Sequence, residues 1–344
     1  MKKVFSRLSV AALMAVMLTA CADKNDAEKA SETANTQTEA TAAPEQVTEA
    51  PTQAAEAPAQ EQPAFPRTYT DAASREVVIE KEPFKVAISY LPHWETLIML
   101  GISPVGTTHA EKYAAEWDAL QGIDLGDVVD LGDTEVNLEL LAQLEPDIIL
   151  EQTYDISNVN VENLEKIAPV AVFGDQVKMD WRYSLREIGK VVGREQKAEE
   201  VIAEVDQKLA DARGKLQEKY DGKTVMLMSV MGEDRYFCAY RPDLYDKESG
   251  LGLNVPAGFP TEQTYVQVSM EALVEMNPDY LFVNVFDGDE ALLEGLNENS
   301  VWQSLNAVKA GHVYRLDGTG HAASALSTVY TVDFIINTLL ENEN

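Results

Sequence analysis

The chain of 344 residues carries 58 acidic against 27 basic side chains, a formal net charge of −31. A field of that sign works against nucleic acid and anionic membrane surfaces as partners, although it leaves room for an anionic ligand gripped by a few concentrated arginines. Two cysteines, Cys21 and Cys238, exclude a disulfide framework as the source of stability.

The chain opens on a basic start (Lys2, Lys3, Arg7), then the apolar run LSVAALMAVML, then LTAC. Residues 1–20 read as a secretory signal, since the apolar run is too short to span a bilayer. The Leu-Thr-Ala-Cys order resembles the lipobox of bacterial lipoproteins, which implies that Cys21 is lipidated and serves as an anchor. Cys238 is then left without an intramolecular partner. Residues 22–64 are dominated by Ala, Glu, Thr, Gln and Pro. Such a composition buries too little apolar surface to offset ordering entropy, and about 43 flexible residues reach roughly 35 Å. Residues 21–64 are therefore expected to be a lipidated cysteine and a leash that holds the globule away from a membrane.

Three of the positive charges lie in the signal, and the leash has nine acids against two lysines, which leaves about −27 on the globule. The remaining stretch, about 280 residues, exceeds the size at which one core usually stops growing, so two lobes are expected. Short apolar runs bounded by turn residues alternate with helical stretches, the pattern of parallel sheets covered by helices. They are KVAISY (85–90), PVGTT (104–108), DIILEQ (147–152) and PVAVFG (169–174), then TVMLMSV (224–230), RYFCAY (235–240), DYLFVNVF (279–286) and HVYRL (312–316). Between the two sets, residues 195–219 place Ala198, Val201, Ile202, Val205, Leu209, Ala212 and Leu216 three and four apart. That spacing predicts one amphipathic helix about 37 Å long, a stiff connection that resists hinge bending. The expected organisation is an α/β fold of two Rossmann-like lobes, residues 65–190 and 221–344, with mostly parallel sheets, joined by a helix within 191–220 and enclosing a ligand cleft.

One device occurs twice. VNLELLAQLEPDIIL (136–150) and VSMEALVEMNPDYLF (268–282) share a capping residue, a glutamate, and a Pro-Asp pair before a buried run. Asn137 and Ser269 can each cap a helix that Pro146 and Pro278 then end, placing Glu139 and Glu271 on the first turn. A carboxylate there is favoured by the unpaired N–H groups alone, worth a few tenths of a kcal/mol. Recurrence of the whole unit once per half points further, to two similar lobes presenting matched acidic points about a pseudo-twofold axis, suited to the arginines of a two-subunit partner.

Together with the lipobox, the leash, the central helix, SYLPHWETLIMLGISPVGTT and LNAVKAGHVYRLDG, this unit resembles the substrate-binding proteins of ABC importers for ferric siderophores, haem and cobalamin. The resemblance covers the chain from about Arg67 to Leu340. It implies an extracytoplasmic, membrane-anchored, monomeric receptor in iron transport, a ligand between two lobes, and permease-dimer contacts at Glu139 and Glu271.

Ligands of open α/β sheets sit beyond the carboxyl ends of the strands. The segments there offer Arg182, Arg241, Lys112, Tyr113, Tyr154, Trp181, Tyr240 and His321, a mixture able to fork the oxygens of a bulky anionic chelate and pack its rim. Through the resemblance, His321 occupies a loop whose counterpart in some relatives completes the coordination of an iron chelate with too few donors. A siderophore saturates Fe(III) with its own oxygens, so no protein metal ligand and no resident cofactor is expected. Four histidines give thin support to a bare-metal site. Ferric citrate, haem and cobalamin remain competing ligands. An enzyme such as an esterase lacks a nucleophile elbow, P-loop or HExxH pattern here, and a structural surface lipoprotein would show no saturable ligand.

Overall fold

The computed structural model describes residues 65–133, 136–153, 161–232, 235–263, 265–286 and 288–340. They begin with an antiparallel pair, β1 (Arg67–Thr70) and β2 (Glu76–Ile79). Asp71 closes the turn by accepting from the Ala73 and Arg75 amides and pairing with the Arg75 guanidinium.

The first lobe is a five-stranded sheet in the order β5-β4-β3-β6-β7 with every pairing parallel. Its strands are β3 (Val86–Ile88), β4 (Gly106–Thr107), β5 (Val129–Asp130), β6 (Ile148–Gln152) and β7 (Val170–Phe173). Between them run α1 (Leu91–Met99), α2 (Ala110–Glu116), α3 (Leu138–Leu144) and α4 (Val161–Leu164). The first strand, β3, lies in the middle, so the order reverses between β3 and β6, the place where an α/β sheet opens a crevice. After β7 come α5 (Gln176–Met179) and α6 (Trp181–Val192), which Asp180 caps at its start and left-handed Gly193 (φ 70) ends.

The predicted strut is α7 (Glu195–Tyr220), 26 residues and so about 39 Å long. All seven apolar positions expected to face inward are buried, with Tyr220 added. The second lobe has the sheet order β10-β9-β8-β11-β12, the same spatial pattern as the first. Its strands are β8 (Val225–Met231), β9 (Arg235–Ala239), β10 (Tyr265–Val268), β11 (Tyr280–Val285) and β12 (Val313–Leu316). Its helices are α8 (Pro242–Tyr245), α9 (Met270–Met276), α10 (Glu290–Leu296), α11 (Asn306–Ala310) and α12 (Ala325–Leu340).

Two details differ from the sequence expectation. RYFCAY forms β9, but β9 pairs antiparallel with both β8 and β10. Only three residues separate Met231 from Arg235, far fewer than the dozen or more a parallel crossover needs. Strands β5 and β10 were not foreseen; β5 is two residues long and neither presents a continuous buried run. The main core is continuous through both lobes, with α7 in its middle, and a smaller cluster lies around Leu141, Ile149 and Leu164 in the first lobe. Helix α12 packs on α1, α6 and α7, so α7 is not alone in joining the lobes.

Candidate ligand cleft and paired carboxylates

A cavity of about 700 Å³ opens where the carboxyl ends of the two sheets meet. From the first lobe, Ser89 and Tyr90 at the end of β3, Thr108 and His109 after β4, Tyr113 on α2 and Trp117 just beyond its end face it. His109 takes up a left-handed conformation (φ 56) where α2 begins, with its ring 5.6 Å from that of Tyr113. Tyr113 meets Trp117 edge-on at 5.4 Å, giving an aromatic wall.

From the second lobe come Met231, Tyr265, Phe286, Arg241 and His321. The His321 ring lies edge-on to Tyr265 at 4.7 Å and to Phe286 at 5.3 Å, with Nδ1 3.3 Å from Ser229 Oγ. Burial, with Arg241 adding to it, lowers the His321 pKa to about 4, so the imidazole is neutral at physiological pH. Burial likewise pushes the Tyr265 hydroxyl up to about 12. The His321 loop needs Gly320 where it crosses β11, because a Cβ there would stand 2.0 Å from Asn284 Oδ1.

Arg241 is 2% exposed, and all five of its N–H donors are engaged within the protein. Nε and Nη2 fork the Asp243 carboxylate at 3.2 and 2.6 Å, Nη1 donates to the carbonyls of Gly320 (3.1 Å) and Ala322 (3.0 Å), and Nη2 also reaches Thr328 Oγ1 at 3.1 Å. This arginine lines the cleft but builds its wall. Lys178 also lines it and pairs with Asp175 at 2.5 Å, while Asp133 adds a carboxylate.

Of the residues singled out in the sequence, Tyr113, Arg241 and His321 come together in this cavity. Lys112 borders a smaller recess beside it, with Tyr113 and Trp117, and stands 3.9 Å from Glu116. Arg182 and Trp181 do not line the cavity. Trp181 is buried in the core, and the Arg182 guanidinium stacks 4.3 Å from its ring while pairing with Asp206 of α7 and the Ser249 carbonyl. An arginine on α6 next to α7 meets a nearer carboxylate than any cleft ligand would offer. Tyr240 is half-buried and stacks on Tyr245 at 5.6 Å, also outside the lining. Tyr154 and Cys21 lie outside the described residues.

The lining residues that were not foreseen include five with aromatic rings: Tyr90, His109, Trp117, Tyr265 and Phe286. Three of them, Tyr90, His109 and Phe286, follow the carboxyl ends of β3, β4 and β11, the region where a ligand is expected, but other side chains or none were singled out there. Tyr265 lies on β10, a four-residue strand at the edge of its sheet.

The paired device is built as the sequence implies. Asn137 caps α3 by accepting from the Leu140 amide at 3.0 Å, and Ser269 caps α9 by accepting from the Ala272 amide at 3.2 Å. Both helices end on a left-handed residue, Glu145 (φ 49) and Asn277 (φ 45), before the Pro-Asp pair. Each feeds the strand beside the central one, β6 and β11, so the two units occupy equivalent places in the two sheets. Glu139 and Glu271 are exposed on the first turns. The Glu271 carboxyl is held below its ordinary range by its own backbone N–H and the Ser269 hydroxyl.

Residues 86–319 match the family described as periplasmic binding protein. The iron(3+)-hydroxamate-binding protein FhuD of Bacillus subtilis is 31% identical over 286 residues, 78% of this chain and 85% of that one. The Fe(3+)-citrate-binding protein YfmC of the same organism is 26% identical, over 70% of this chain and 76% of that one. Among solved structures, the triscatecholate siderophore binding protein FeuA of B. subtilis superposes with a TM-score of 0.66 at 22% identity, covering 80% of this chain and 99% of that one. A B. subtilis periplasmic binding protein of the FhuD fold family gives 0.68 at 27% identity, covering 79% and 100%.

Proposed function

The chain belongs to the periplasmic binding protein family, and we propose that it is the extracytoplasmic receptor of an ABC importer that carries iron as a ferric siderophore, preferring an uncharged ferric trihydroxamate. One observation carries the choice of chelate: the cations that line the cleft, Arg241 and Lys178, are already paired with Asp243 and Asp175. Segments 134–135, 154–160, 233–234, 264 and 287 hold no lysine or arginine, so they bring no further cation. Three hydroxamates, each with one negative charge, cancel the charge of Fe(III), whereas a triscatecholate keeps three negative charges and ferric citrate is also anionic. Desolvating an anion in a cleft whose two cations are each already matched by a carboxylate, with Asp133 adding a further one, costs free energy that the paired cations cannot return. An uncharged chelate asks only for aromatic faces and a few donors, and Tyr90, Tyr113, Trp117, Tyr265, Phe286 and neutral His321 supply these. The anionic chelate expected from the arginines of the sequence gives way on this account.

The rest of the reading follows from the same role. Iron is cargo held by its chelator, and the receptor needs no resident cofactor and acts as a monomer. A lipid on Cys21 and the leash 21–64 tether it to the membrane, and Glu139 and Glu271 meet the arginines of the permease dimer. The family is one of binding proteins rather than enzymes.

The test is quenching of intrinsic tryptophan fluorescence by a ferric trihydroxamate, a ferric triscatecholate, ferric citrate and haem at two ionic strengths. Tightest binding of the trihydroxamate, with little dependence on salt, is the expected result. Tighter binding of the triscatecholate or citrate, weakening as salt rises, would overturn the choice of chelate, and no saturable response to any of the four would overturn the receptor.

A further inference from the structure

Helix α1 contributes to the cleft twice. Leu91 and Pro92 on its first turn line the cavity, and one turn further on Glu95 is fully buried against the second lobe. Its Oε2 accepts hydrogen bonds from Ser324 Oγ, the Ser327 amide (2.9 Å) and Ser327 Oγ (2.5 Å). These residues open α12, which carries no acid in its own first turn. Ser324 Oγ also accepts from the Ser327 amide at 3.3 Å. A capping box normally draws both its hydroxyl and its acid from one helix. Here the hydroxyl is local and the acid arrives from the other lobe, 229 residues earlier in the chain. In a dry interface a carboxylate on helix-end donors is a strong and directional contact.

The cap stands directly beside the cleft. His321, Ala322 and Ala323, which precede α12, line the cavity, and Arg241 holds the carbonyls of Gly320 and Ala322. The loop is thus fixed from its own lobe by Arg241 and from the opposite lobe by Glu95. Further along, Asp317 Oδ2 accepts from the Asp118 amide at 3.0 Å, but that contact lies in the open, whereas the Glu95 cap is buried.

We propose that Glu95 is a positioning residue for ligand binding, which by capping α12 from the first lobe sets where the His321 loop stands across the cleft from Tyr90 and Pro92. The inference rests on the reading of this cleft as the chelate site. Without the Glu95 acceptor, two hydroxyls lose their partner inside the interface and the Ser327 amide keeps only its longer bond to Ser324 Oγ, so the start of α12 must shift to find another acceptor or open to water.

The test uses the full chain with Glu95→Ala, Glu95→Gln and Ser327→Ala. It reads the Kd for a ferric trihydroxamate by tryptophan quenching, and the imidazole nitrogen resonances of His321 in ligand-free protein, assigned with His321→Asn. Glu95→Ala is expected to move the His321 resonances and raise the Kd at least about tenfold. Glu95→Gln keeps an acceptor oxygen of the same reach and is expected to bind within about threefold of the wild type. Ser327→Ala shifts both readings less and in the same direction, and decides the matter if Glu95→Ala does not fold. Wild-type resonances and a wild-type Kd in Glu95→Ala, or in Ser327→Ala if the former is unfolded, would overturn the proposal even if the unfolding midpoint falls. If the wild type binds no ferric chelate, the siderophore reading fails, and the His321 resonances still decide whether Glu95 positions the loop.

Discussion

Replacing Arg241 with methionine separates a wall-building arginine from a ligand-binding one. The side chains of Arg241 and Asp243 are each 3% exposed, and their contact is 2.6 Å. Two opposite charges about 4 Å apart attract by about 4 kcal/mol at an effective dielectric of about 20. Desolvation offsets much of that while both are present, but removing one partner strands the other, at a cost of about 3–5 kcal/mol. Arg241→Met also releases the carbonyls of Gly320 and Ala322. Thermal unfolding followed by tryptophan fluorescence is therefore expected to show a fall of roughly 6–15 °C. Arg241→Met combined with Asp243→Leu is expected to cost less than the two single changes together, with a coupling of at least about 2 kcal/mol. A wild-type midpoint in Arg241→Met alongside lost chelate binding would refute this account, because that is the behaviour of a guanidinium reserved for the ligand.

Gly320→Ala places a methyl 2.0 Å from Asn284 Oδ1 in the closely packed base of the His321 loop, and a loss of about 1–3 kcal/mol is expected in denaturant unfolding. Glu139→Ala and Glu271→Ala, on exposed first turns, are expected to leave chelate affinity and the unfolding midpoint near wild type while reducing iron uptake by cells; parallel losses of binding and uptake would assign the pair to folding. For pH, burial raises the Glu95 carboxyl from its ordinary 4.5 to about 6, against the pull of its serine hydrogen bonds. Its contribution to stability is present below pH 4.5 and is lost as pH rises through about 6. His321, lowered by burial from 6.5 to about 4, has the opposite sign: its contribution is present above 6.5 and is lost as pH falls towards 4. In Glu95→Gln the opposing carboxyl is gone, so stability is expected to rise more steeply between pH 4.5 and 6 than in the wild type, the two curves diverging by about 2 kcal/mol. Parallel curves from urea titrations across that range would refute the assignment of a buried ionisable Glu95.

What the sequence determined by itself is what local physics encodes. A three-and-four apolar repeat is the buried stripe of α7, and the matched Asn137 and Ser269 units are helix caps whose hydrogen bonds close within three residues. Apolar runs between turn residues gave eight strands of the two sheets. Only the tertiary structure decided which way β9 runs, because a run of buried residues reads alike in parallel and antiparallel pairs. Only it decided the site, too. Arg182 and Arg241 look equivalent as cations in loops beyond strands, but one is claimed by Asp206 on α7 and the other by Asp243 and the carbonyls of the His321 loop. Glu95, in a segment from which the sequence singled out no residue, becomes the cap of a helix from the other lobe. A charged side chain is committed by whichever counter-charge or orphan donor folding brings within hydrogen-bond reach, and that distance is set by packing between segments far apart in the chain.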